Sequence, residues 1–315
     1  MNNTFDEING LFLRSQSFLL IAHQNPDGDA CGSILGLLFY LKSLGKKVSV
    51  FVADKPPAYF SFLPGFEEVN SEPQVFYETW DVVVFLDSAD ISNTRVDMSF
   101  IRTQALVNID HHFTNPSYGQ LNFVDVRASS TCEIIYKFLK HVGFALDRRI
   151  ATCLLAGIFN DTGGFSNAAT NIDSIVIASD LIKHGVKIHQ LFNYIANNKS
   201  IDGLRLWGVV LSRLKINKEF NIAYTYIKDE DFKLYRVSEA EFDGLANFLN
   251  VIAQVNFSMV VKIKADGTKV SLRTTRDDVD VSQIAGLFGG GGHKKAAGFS
   301  LAYKVEERDG QLVIS

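Results

Sequence analysis

Carboxylate and imidazole side chains gather in short groups in the first half of the chain, and these residue types bind divalent metal ions. The groups are His23 with Asp27 and Asp29, then Asp87, then Asp110 with His111 and His112, and finally Asp161. Such mixed oxygen and nitrogen donors suit Mn²⁺ or Mg²⁺, with Co²⁺ or Zn²⁺ as alternatives, and they argue against a structural zinc site. The chemistry that they predict is metal-assisted hydrolysis.

Three of these groups directly follow apolar runs of the sequence. The runs are 18–22, 82–86 and 105–109, and a fourth run at 48–53 leads only to Asp54, the weakest candidate. Continuous apolar runs are typical of strands buried on both faces of a parallel sheet. A helical pattern over 30–44, ended by Gly45, separates the first run from the run at 48–53. Because the carboxyl ends of parallel strands form the ligand crevice of an open α/β sheet, we expect the three groups to converge.

Each of these residues has an ordinary alternative when it is taken singly. Asp29 could cap a helix that begins at Ala30, and a buried histidine is often only a satisfied core residue. Asp161 follows an apolar helical stretch, where a buried carboxylate needs a cation or several hydrogen-bond donors. Several carboxylates at one sheet edge would repel each other unless cations neutralised them. The combination predicts a metal centre, and the number of donors favours two ions that share a carboxylate.

The last third of the chain carries a candidate anion-binding surface. Between residues 260 and 276, apolar side chains alternate with basic and polar ones along a hairpin predicted to turn at Asp266 and Gly267. The basic and polar side chains are Lys262, Lys264, Lys269, Ser271 and Arg273. A short predicted helix over 283–288 then ends in four glycines, Gly289 to Gly292, followed by His293. Glycine amides at a helix end can approach a phosphate closely. A solvated strand face and a flexible linker are the alternatives.

Composition limits the class of protein. The chain has 315 residues, with 31 Lys and Arg against 35 Asp and Glu, so its formal charge is −4. Its 47% hydrophobic and 21% charged residues exclude a disordered chain, and the acidic balance argues against a protein that coats long nucleic acids. The sequence has three cysteines without paired spacing, and it shows neither a signal-peptide pattern nor an apolar run of bilayer length. These features predict a cytoplasmic protein that does not bind membranes.

These patterns predict an α/β fold in two parts. We expect a doubly wound, mainly parallel sheet domain over 1–195, a helical connector over 196–219 and a smaller α/β domain over 220–315. Thr170 and Ser200 are the predicted N-caps of helices over 170–183 and 200–214. In the last part we expect a strand over 220–227 and one helix over 238–249.

The motifs, taken together, resemble a known family. The spacing His23-x-x-x-Asp27-x-Asp29, followed by Asp87, the triplet beginning at Asp110 and then Asp161, resembles the four motifs of the DHH phosphoesterase superfamily. The segment 289–298, with Ser271 and Arg273 upstream, is similar to the glycine-rich substrate motif of the DHH-associated carboxyl-terminal domain. These motifs occur in the expected order and cover residues 18–300.

The resemblance implies a role for each matching residue. One metal ion would be held by His23, Asp27 and Asp87, and the other by Asp29, Asp87, His111 and Asp161, with Asp87 as the bridge. His112 would orient phosphate or water, with Asp110 behind it, so that the implied catalytic residues are His112, Asp110 and Asp87. The implied substrate-binding residues are Arg273, Ser271, His293, Gly290, Gly291 and Gly292, with Asn115 and Ser130 as less specific matches.

The two-domain size selects a branch of the superfamily. The chain resembles the bifunctional oligoribonucleases that also dephosphorylate pAp, which implies short RNA or nucleotide phosphates as substrates. The resemblance also implies two divalent metal ions, with Mn²⁺ as the first choice. A homodimer is a further expectation. Hydrolysis of pApA or c-di-AMP, digestion of short single-stranded DNA, a phosphatase for small non-nucleotide phosphates, and a non-catalytic nucleotide-binding scaffold are the alternatives. The complete set of acids and histidines argues against the scaffold.

Overall fold

The computed structural model describes residues 2–195, 200–242, 244–252, 254–264, 267–303, 305–308 and 311–314. The chain divides into two compact units, Met1–Asn197 and Asn198–Ser315. The first unit holds the predicted metal-binding residues, and the second holds the predicted anion-binding surface. Within the described residues, no helix has the length and apolar character that crossing a bilayer requires.

The first unit is built on five strands and six helices among its described residues. The strands are β1 Ser17–Ile21, β2 Lys47–Phe51, β3 Thr79–Leu86, β4 Arg102–Asp110 and β5 Leu121–Val124. The helices are α1 Asn2–Arg14, α2 Gly28–Ser43, α3 Thr131–His141, α4 Arg148–Asp161, α5 Ile172–Lys183 and α6 Ile188–Ile195. Short 3₁₀ turns lie at Ala58–Phe60, Phe66–Glu68, Pro73–Tyr77, Ile91–Thr94 and Met98–Phe100.

The strands of the first unit form one parallel sheet in the order β2-β1-β3-β4-β5. Its strands are nearly continuous apolar segments because both faces are covered. Leu20, Val82 and Val84 point into the core beneath α2, α3 and α4, whereas Leu19 and Phe85 point into a smaller core on the opposite face. That opposite face is packed by residues of the 3₁₀ turns and the connecting segments. The strand order reverses between β1 and β3, which is where an open α/β sheet forms its ligand crevice.

The second unit is a mixed sheet with short helices. Its described strands are β6 Lys215–Asn217, β7 Ile222–Lys228, β8 Phe257–Lys264, β9 Gly267–Arg273, β10 Gly291–His293, β11 Ala296–Leu301, β12 Val305–Arg308 and β13 Gln311–Ile314. Its helices are α7 Ile201–Ser212, α8 Asp229–Tyr235, α9 Glu239–Phe242, α10 Leu245–Phe248 and α11 Val281–Gly286, with a 3₁₀ turn at Leu249–Val251. Six strands pair in the order β10-β11-β9-β8-β7-β6, and β12 pairs with β13. The predicted α/β fold in two parts is confirmed.

Several local predictions need correction. Asn171 rather than Thr170 caps α5, because the Asn171 side chain accepts the Ser174 amide in a capping box. The predicted helix over 238–249 is broken into α9 and α10 at Gly244, whose φ of +95° no helix accommodates. Ser200 caps α7 as predicted. The antiparallel pairing of β8 with β9 confirms the predicted hairpin, whereas its turn residue Asp266 lies outside the described residues.

The second unit contains a paired charge whose effect on stability depends on pH. Both guanidinium Nη atoms of Arg213 bond the buried carboxylate of Asp231, at 2.6 and 2.8 Å. Burial opposes ionisation of Asp231, but Arg213 outweighs it and lowers the pKa of Asp231. The stabilisation is therefore present above the unfolded pKa of about 3.9 and is lost as pH falls through the lower folded value.

We expect Asp231→Asn to lower the free energy of unfolding by about 1–3 kcal/mol at pH 7, because the charged hydrogen bonds are weakened. The difference from wild type should shrink at pH 3, measured by chemical denaturation. Asp202→Asn is the matched control, since Asp202 forms an exposed ion pair with Arg205 that is worth less than about 1 kcal/mol. A difference that is independent of pH would contradict this role of the charge.

Candidate metal centre

The predicted metal-binding residues lie at the carboxyl edge of the parallel sheet. His23 follows β1, Asp87 follows β3, and Asp110 ends β4 with His111 next in the chain. Asp161 arrives from a different direction, as the last residue of α4. Three groups of potential ligand atoms form here, and within each group the atoms lie within 4.8 Å of one another. The structure thus brings together residues that the sequence spreads from 23 to 161.

The first group consists of His23, Asp27 and Asp87. The Nε2 atom of His23 lies 3.4 Å from Asp87 Oδ2 and 3.9 Å from Asp27 Oδ1. The other ring nitrogen, Nδ1, lies 2.7 Å from the Gln24 carbonyl oxygen, so the ring is oriented with Nε2 toward the acids. Asp27 also caps α2, since its side chain accepts the amides of Asp29 and Ala30. The alternative role of Asp29 as a helix cap is therefore excluded, since Asp27 is the N-cap of α2.

The second group consists of Asp29, His111 and Asp161. His111 Nε2 lies 3.3 Å from Asp161 Oδ2 and 4.0 Å from Asp29 Oδ2. The same nitrogen is 3.6 Å from Asp87 Oδ1. Asp87 therefore faces the first group with Oδ2 and the second group with Oδ1. This is the placement that a carboxylate shared between two ions requires.

Asp29 is held by the amino terminus of α3. Its Oδ2 accepts the Thr131 amide at 2.6 Å, and its Oδ1 accepts the Cys132 amide at 2.9 Å. The first amides of a helix have no partner within the helix, and the helix dipole favours an anion there. The fully buried Asp29 carboxylate is thus held by two backbone amides of α3.

A third group joins Asp87, His111 and His112. His112 Nδ1 lies 2.8 Å from Asp110 Oδ1 and 3.7 Å from Asp87 Oδ1. The buried Asp110 also accepts a hydrogen bond of 2.6 Å from Asn115 Nδ2, so Asn115 supports Asp110. Asp110 is absent from the three ligand groups and orients the His112 ring instead. Its predicted position behind His112 agrees with this geometry.

The proton affinities at the centre are strongly perturbed. Burial disfavours the imidazolium of His23, but Asp87 and Asp27 outweigh it and raise the pKa of His23 to about 10. Burial also opposes ionisation of Asp87, yet the hydrogen bond from His23 holds the pKa of Asp87 well below its usual range. Burial, followed by the charge of Asp29, raises the pKa of Asp161 well above its usual range.

These shifts have a common origin and test whether metal ions fit the residues. Burial and the charges of Asp87 and Asp27 raise the pKa of Asp29 as well. Carboxylates that hold each other's pKa high are repelling one another, and a divalent cation relieves that repulsion. The donors are carboxylate oxygens and imidazole nitrogens, which suit Mn²⁺ and related ions. The donor set of the described residues therefore fits divalent metal ions.

Two other residues have a different environment from the one predicted. The hydroxyl group of Ser130 is buried and caps α3 by accepting the Glu133 amide, which gives it a structural role. Asp54, the weakest sequence candidate, pairs with Arg95 and accepts the Asn25 amide outside the three ligand groups.

The register of the second unit places the predicted substrate residues on one face of its sheet. Arg273 pairs with Ala296, which pairs with His293. Two residues away, Ser271 pairs with Gly298, and Gly298 pairs with Gly291. Residues directly opposite on neighbouring strands point to the same face, as do residues two apart on one strand. Ser271, Arg273, Gly291 and His293 therefore share a face, with only Ala296 and Gly298 between them.

The glycine segment is not the flexible linker that was its alternative interpretation. Gly291 to His293 form β10, and the Gly289 and Gly290 amides bond carbonyl oxygens of α11 at Gly286 and Ala285. A Cβ atom at Gly290 would lie 2.2 Å from the Gly298 carbonyl oxygen. At Gly292, φ is +138° and a Cβ atom would lie 2.5 Å from the Ala296 carbonyl oxygen. Close packing against β11 explains these two glycines.

Some cations of the predicted basic patch pair with acids of the second unit. Lys262 and Lys264 both reach Glu239, at 3.5 and 2.6 Å. Arg276 pairs with Asp278, and Lys295 pairs with Asp277. Arg273 differs, since its Nε donates to Asn247 Oδ1 and no acid of the described chain lies within ion-pair distance of it. Arg273 is therefore a half-buried cation of this face with no acid of the described residues beside it, and Lys269 is a second, exposed cation on the same face.

The sequence alone did not indicate which contacts hold the ligands in place. Thr131, Cys132 and Gly157 pack directly against Asp29 or Asp87, although none of them has an unusual local pattern. The stretch Ser129-Ser130-Thr131 before an apolar helical pattern signals a helix start, and this was the available clue. What that helix start contacts becomes visible only in three dimensions.

The comparisons with known proteins agree with this geometry. A model of the DHH family, N-terminal domain, matches residues 17–158, and a model of the DHHA1 domain matches residues 219–311. The bifunctional oligoribonuclease and PAP phosphatase NrnA of Thermus thermophilus is 33% identical over 282 residues, which cover 90% of this chain and 83% of that protein.

Two further similarities concern the fold and the metal. The crystal structure of an exopolyphosphatase-related protein from Bacteroides fragilis has a TM-score of 0.87 at 27% identity, covering 95% of this chain and 91% of that chain. A probable manganese-dependent inorganic pyrophosphatase of Streptococcus mutans is 26% identical over 174 residues, which are 52% of this chain and 54% of that protein. This chain belongs to the DHH family and is a metal-dependent hydrolase of phosphoester bonds.

Proposed function

We propose that this protein hydrolyses short oligoribonucleotides to mononucleotides and removes the 3′-phosphate of pAp, using two divalent ions. The observation that carries this proposal is the position of Asp87, whose two oxygens face two different ligand groups. The activity printed in the name of the Thermus thermophilus relative supports the substrates. Mn²⁺ is the proposed metal because the donors are mixed carboxylate and imidazole and because a similar pyrophosphatase is named as manganese-dependent.

The proposed ligands divide between the two ions. His23, Asp27 and Asp87 would hold one ion, and Asp29, Asp87, His111 and Asp161 the other. When bound, such a pair of ions lowers the pKa of a water molecule and stabilises negative charge on phosphoryl oxygens. The acids and histidines of this chain would hold the ions at the carboxyl edge of the sheet.

His112 is the proposed catalytic side chain that contacts the substrate phosphate. It is half-buried, and burial opposes its protonation, but the hydrogen bond with Asp110 raises the pKa of His112 to about 9. When protonated, the ring can donate a proton or a hydrogen bond to a phosphoryl oxygen. Asp110 and Asn115 keep the ring in that orientation.

The face of the second unit that carries Ser271, Arg273, Gly291 and His293 is the proposed site for the nucleotide part of the substrate. Burial lowers the pKa of Arg273, which nevertheless stays charged at neutral pH. A charged guanidinium that is largely desolvated and has no acid beside it binds phosphate strongly. Gly290 and Gly292 would serve by allowing β10 to approach β11 closely.

Arg273→Ala should raise KM for short RNA or pAp about 10–100-fold with little change in kcat, because a charged hydrogen bond to the substrate is lost. The metal content, measured by elemental analysis, should equal that of wild type. Arg276→Ala is the control, since Arg276 is exposed and paired with Asp278. A loss of bound metal with an unchanged KM would assign Arg273 a different role.

The proposed function is tested with a substrate panel in the presence of Mn²⁺. It contains pAp, RNA of two to five nucleotides, pApA, c-di-AMP, single-stranded DNA, pyrophosphate and a small sugar phosphate. We expect the largest kcat/KM for short RNA or pAp, and no activity after chelation. A preference for pApA, c-di-AMP, DNA or the sugar phosphate would identify that compound as the substrate in place of short RNA and pAp. If no compound of the panel were hydrolysed, the non-catalytic nucleotide-binding scaffold would be the remaining interpretation.

We also propose that the protein acts in the cytoplasm. Cys31, Cys132 and Cys153 are buried free thiols, and a reducing compartment preserves such thiols. The homodimer stays a prediction, which the molar mass in solution decides.

A further inference from the structure

Thr131 lies at the point where two of the proposed ligands meet. It is the first residue of α3 and is fully buried. Its amide nitrogen donates to Asp29 Oδ2 at 2.6 Å, whereas its side-chain hydroxyl donates to Asp87 Oδ1 at 3.1 Å. One residue therefore contacts an acid from the start of α2 and an acid from the end of β3.

The two hydrogen bonds can be separated chemically. The bond to Asp29 comes from the Thr131 backbone amide, and the Cys132 amide bonds the other oxygen of the same carboxylate. The Thr131 bond therefore survives any substitution that keeps α3 helical. The bond to Asp87 comes from the Thr131 hydroxyl and is lost when that hydroxyl is removed. Valine has the size and branching of threonine without the hydroxyl group, which makes it the appropriate replacement.

Asp87 needs its carboxylate plane to be fixed. Oδ2 must face His23 Nε2, at 3.4 Å, while Oδ1 faces His111 Nε2, at 3.6 Å. The terminal torsion of an aspartate is broad, so rotamer preference alone does not set the plane of the carboxylate. The Thr131 hydroxyl group donates to Asp87 Oδ1 and thereby fixes the plane of the carboxylate, because rotation of the carboxylate would break this hydrogen bond.

The backbone beside this carboxylate is already constrained. Asp87 has a φ of +53°, in the left-handed region, and its amide donates to the Ile109 carbonyl oxygen of β4 at 3.1 Å. This turn directs the side chain off the end of β3, and the Thr131 hydroxyl is positioned to fix the remaining rotation.

We propose that Thr131 is a positioning residue that orients Asp87 between the two metal ions through its hydroxyl group. The proposal rests on the proposed two-ion function, which it deepens by naming the residue that allows one carboxylate to serve both ions. Partners that orient a ligand in this way typically change metal affinity by about 10–100-fold when they are removed.

The experiment measures Mn²⁺ binding by isothermal titration calorimetry to the wild-type protein, Thr131→Val and Thr131→Ser. We expect Thr131→Val to bind at least one Mn²⁺ about 10–100-fold more weakly, and Thr131→Ser to bind close to wild type. The rate of Thr131→Val at limiting Mn²⁺ should fall and should recover as Mn²⁺ is raised. Thr225→Val is the control for the loss of a buried hydroxyl, since the Thr225 hydroxyl donates to the Val210 carbonyl oxygen in the second unit.

The proposal would be overturned if Thr131→Val bound Mn²⁺ with the affinity of the wild-type protein and reacted at its rate. It would also be overturned if Thr131→Ser, which keeps the hydroxyl group, bound Mn²⁺ as weakly as Thr131→Val. Chemical denaturation of all variants shows whether α3 and its unit remain folded. A wild-type protein that binds Mn²⁺ but hydrolyses none of the panel would refute the proposed function, while the titrations would still support the role of Thr131. A wild-type protein that binds no Mn²⁺ would overturn both.

Discussion

Asp87→Ala is expected to abolish hydrolysis of every phosphoester substrate of this protein, because it removes a carboxylate that faces both the first and the second ligand group. Asp87 Oδ2 lies 3.4 Å from His23 Nε2, and its Oδ1 lies 3.6 Å from His111 Nε2. Its loss therefore removes a proposed ligand from each ion at once. A residue that merely supports a metal ligand changes activity about 10–100-fold, so the loss here should exceed roughly a hundredfold.

Asp87→Asn refines this test. Asparagine tolerates the left-handed backbone found at Asp87, so the turn at the end of β3 is retained while the charge is lost. We expect Asp87→Asn to be nearly as inactive as Asp87→Ala, with reduced binding of Mn²⁺ by titration calorimetry. Asp81→Asn is the matched control, because Asp81 lies near the other end of β3 and accepts the amides of Gln16 and Ser17. Activity of Asp87→Asn equal to that of Asp81→Asn would exclude the shared carboxylate.

The second large effect is expected at Gly157, inside α4. A Cβ atom there would lie 2.3 Å from Cys132 Sγ and 2.8 Å from Asp29 Oδ1. Alanine normally stabilises a helix interior by up to about 1 kcal/mol relative to glycine, but overpacking of a core costs about 1–3 kcal/mol. Gly157→Ala should therefore destabilise the first unit. It should also displace the Asp29 carboxylate from the α3 amides and weaken Mn²⁺ binding.

The control for Gly157 is available in the second unit. Gly208 lies inside α7, and a Cβ atom there would meet no atom of the described residues within 4 Å. Gly208→Ala should stabilise the protein by about 0.5–1 kcal/mol, measured by chemical denaturation. Adding Cys132→Ala to Gly157→Ala should recover part of the loss, since the nearest clashing atom is then absent. A stabilising effect of Gly157→Ala would show that α4 shifts away from α2 and α3 without cost.

Much of the candidate site can be predicted from the sequence because the positions of its residues follow from strand ends. Buried parallel strands are continuous apolar runs, so His23, Asp87 and Asp110 could be placed at one edge without a structure. Asp161 was found because an acid after an apolar helix is costly to bury. The arrangement of Ser271 and Arg273 on one face followed from the period of a strand.

Other features depend on contacts between distant segments. Glu239 pairs with both Lys262 and Lys264 from a separate helix, and no pattern local to the hairpin indicates it. Gly290 looks like part of a flexible loop, although its lack of a side chain is explained by a carbonyl oxygen on β11. The helix α1 was not predicted, and its apolar residues Ile8 and Phe12 are fully buried against the first core. Tertiary packing determined these outcomes.

The ligand groups also bear on the order of events during synthesis. All proposed ligands lie between His23 and Asp161, and the first compact unit extends to Asn197. Domains generally fold as units, the amino-terminal one first, while the ribosome is still adding residues at about 5–20 per second. The full set of proposed ligands is therefore translated several seconds before Arg273. On the proposed function, metal binding by the first unit would precede synthesis of the segment proposed to select the substrate.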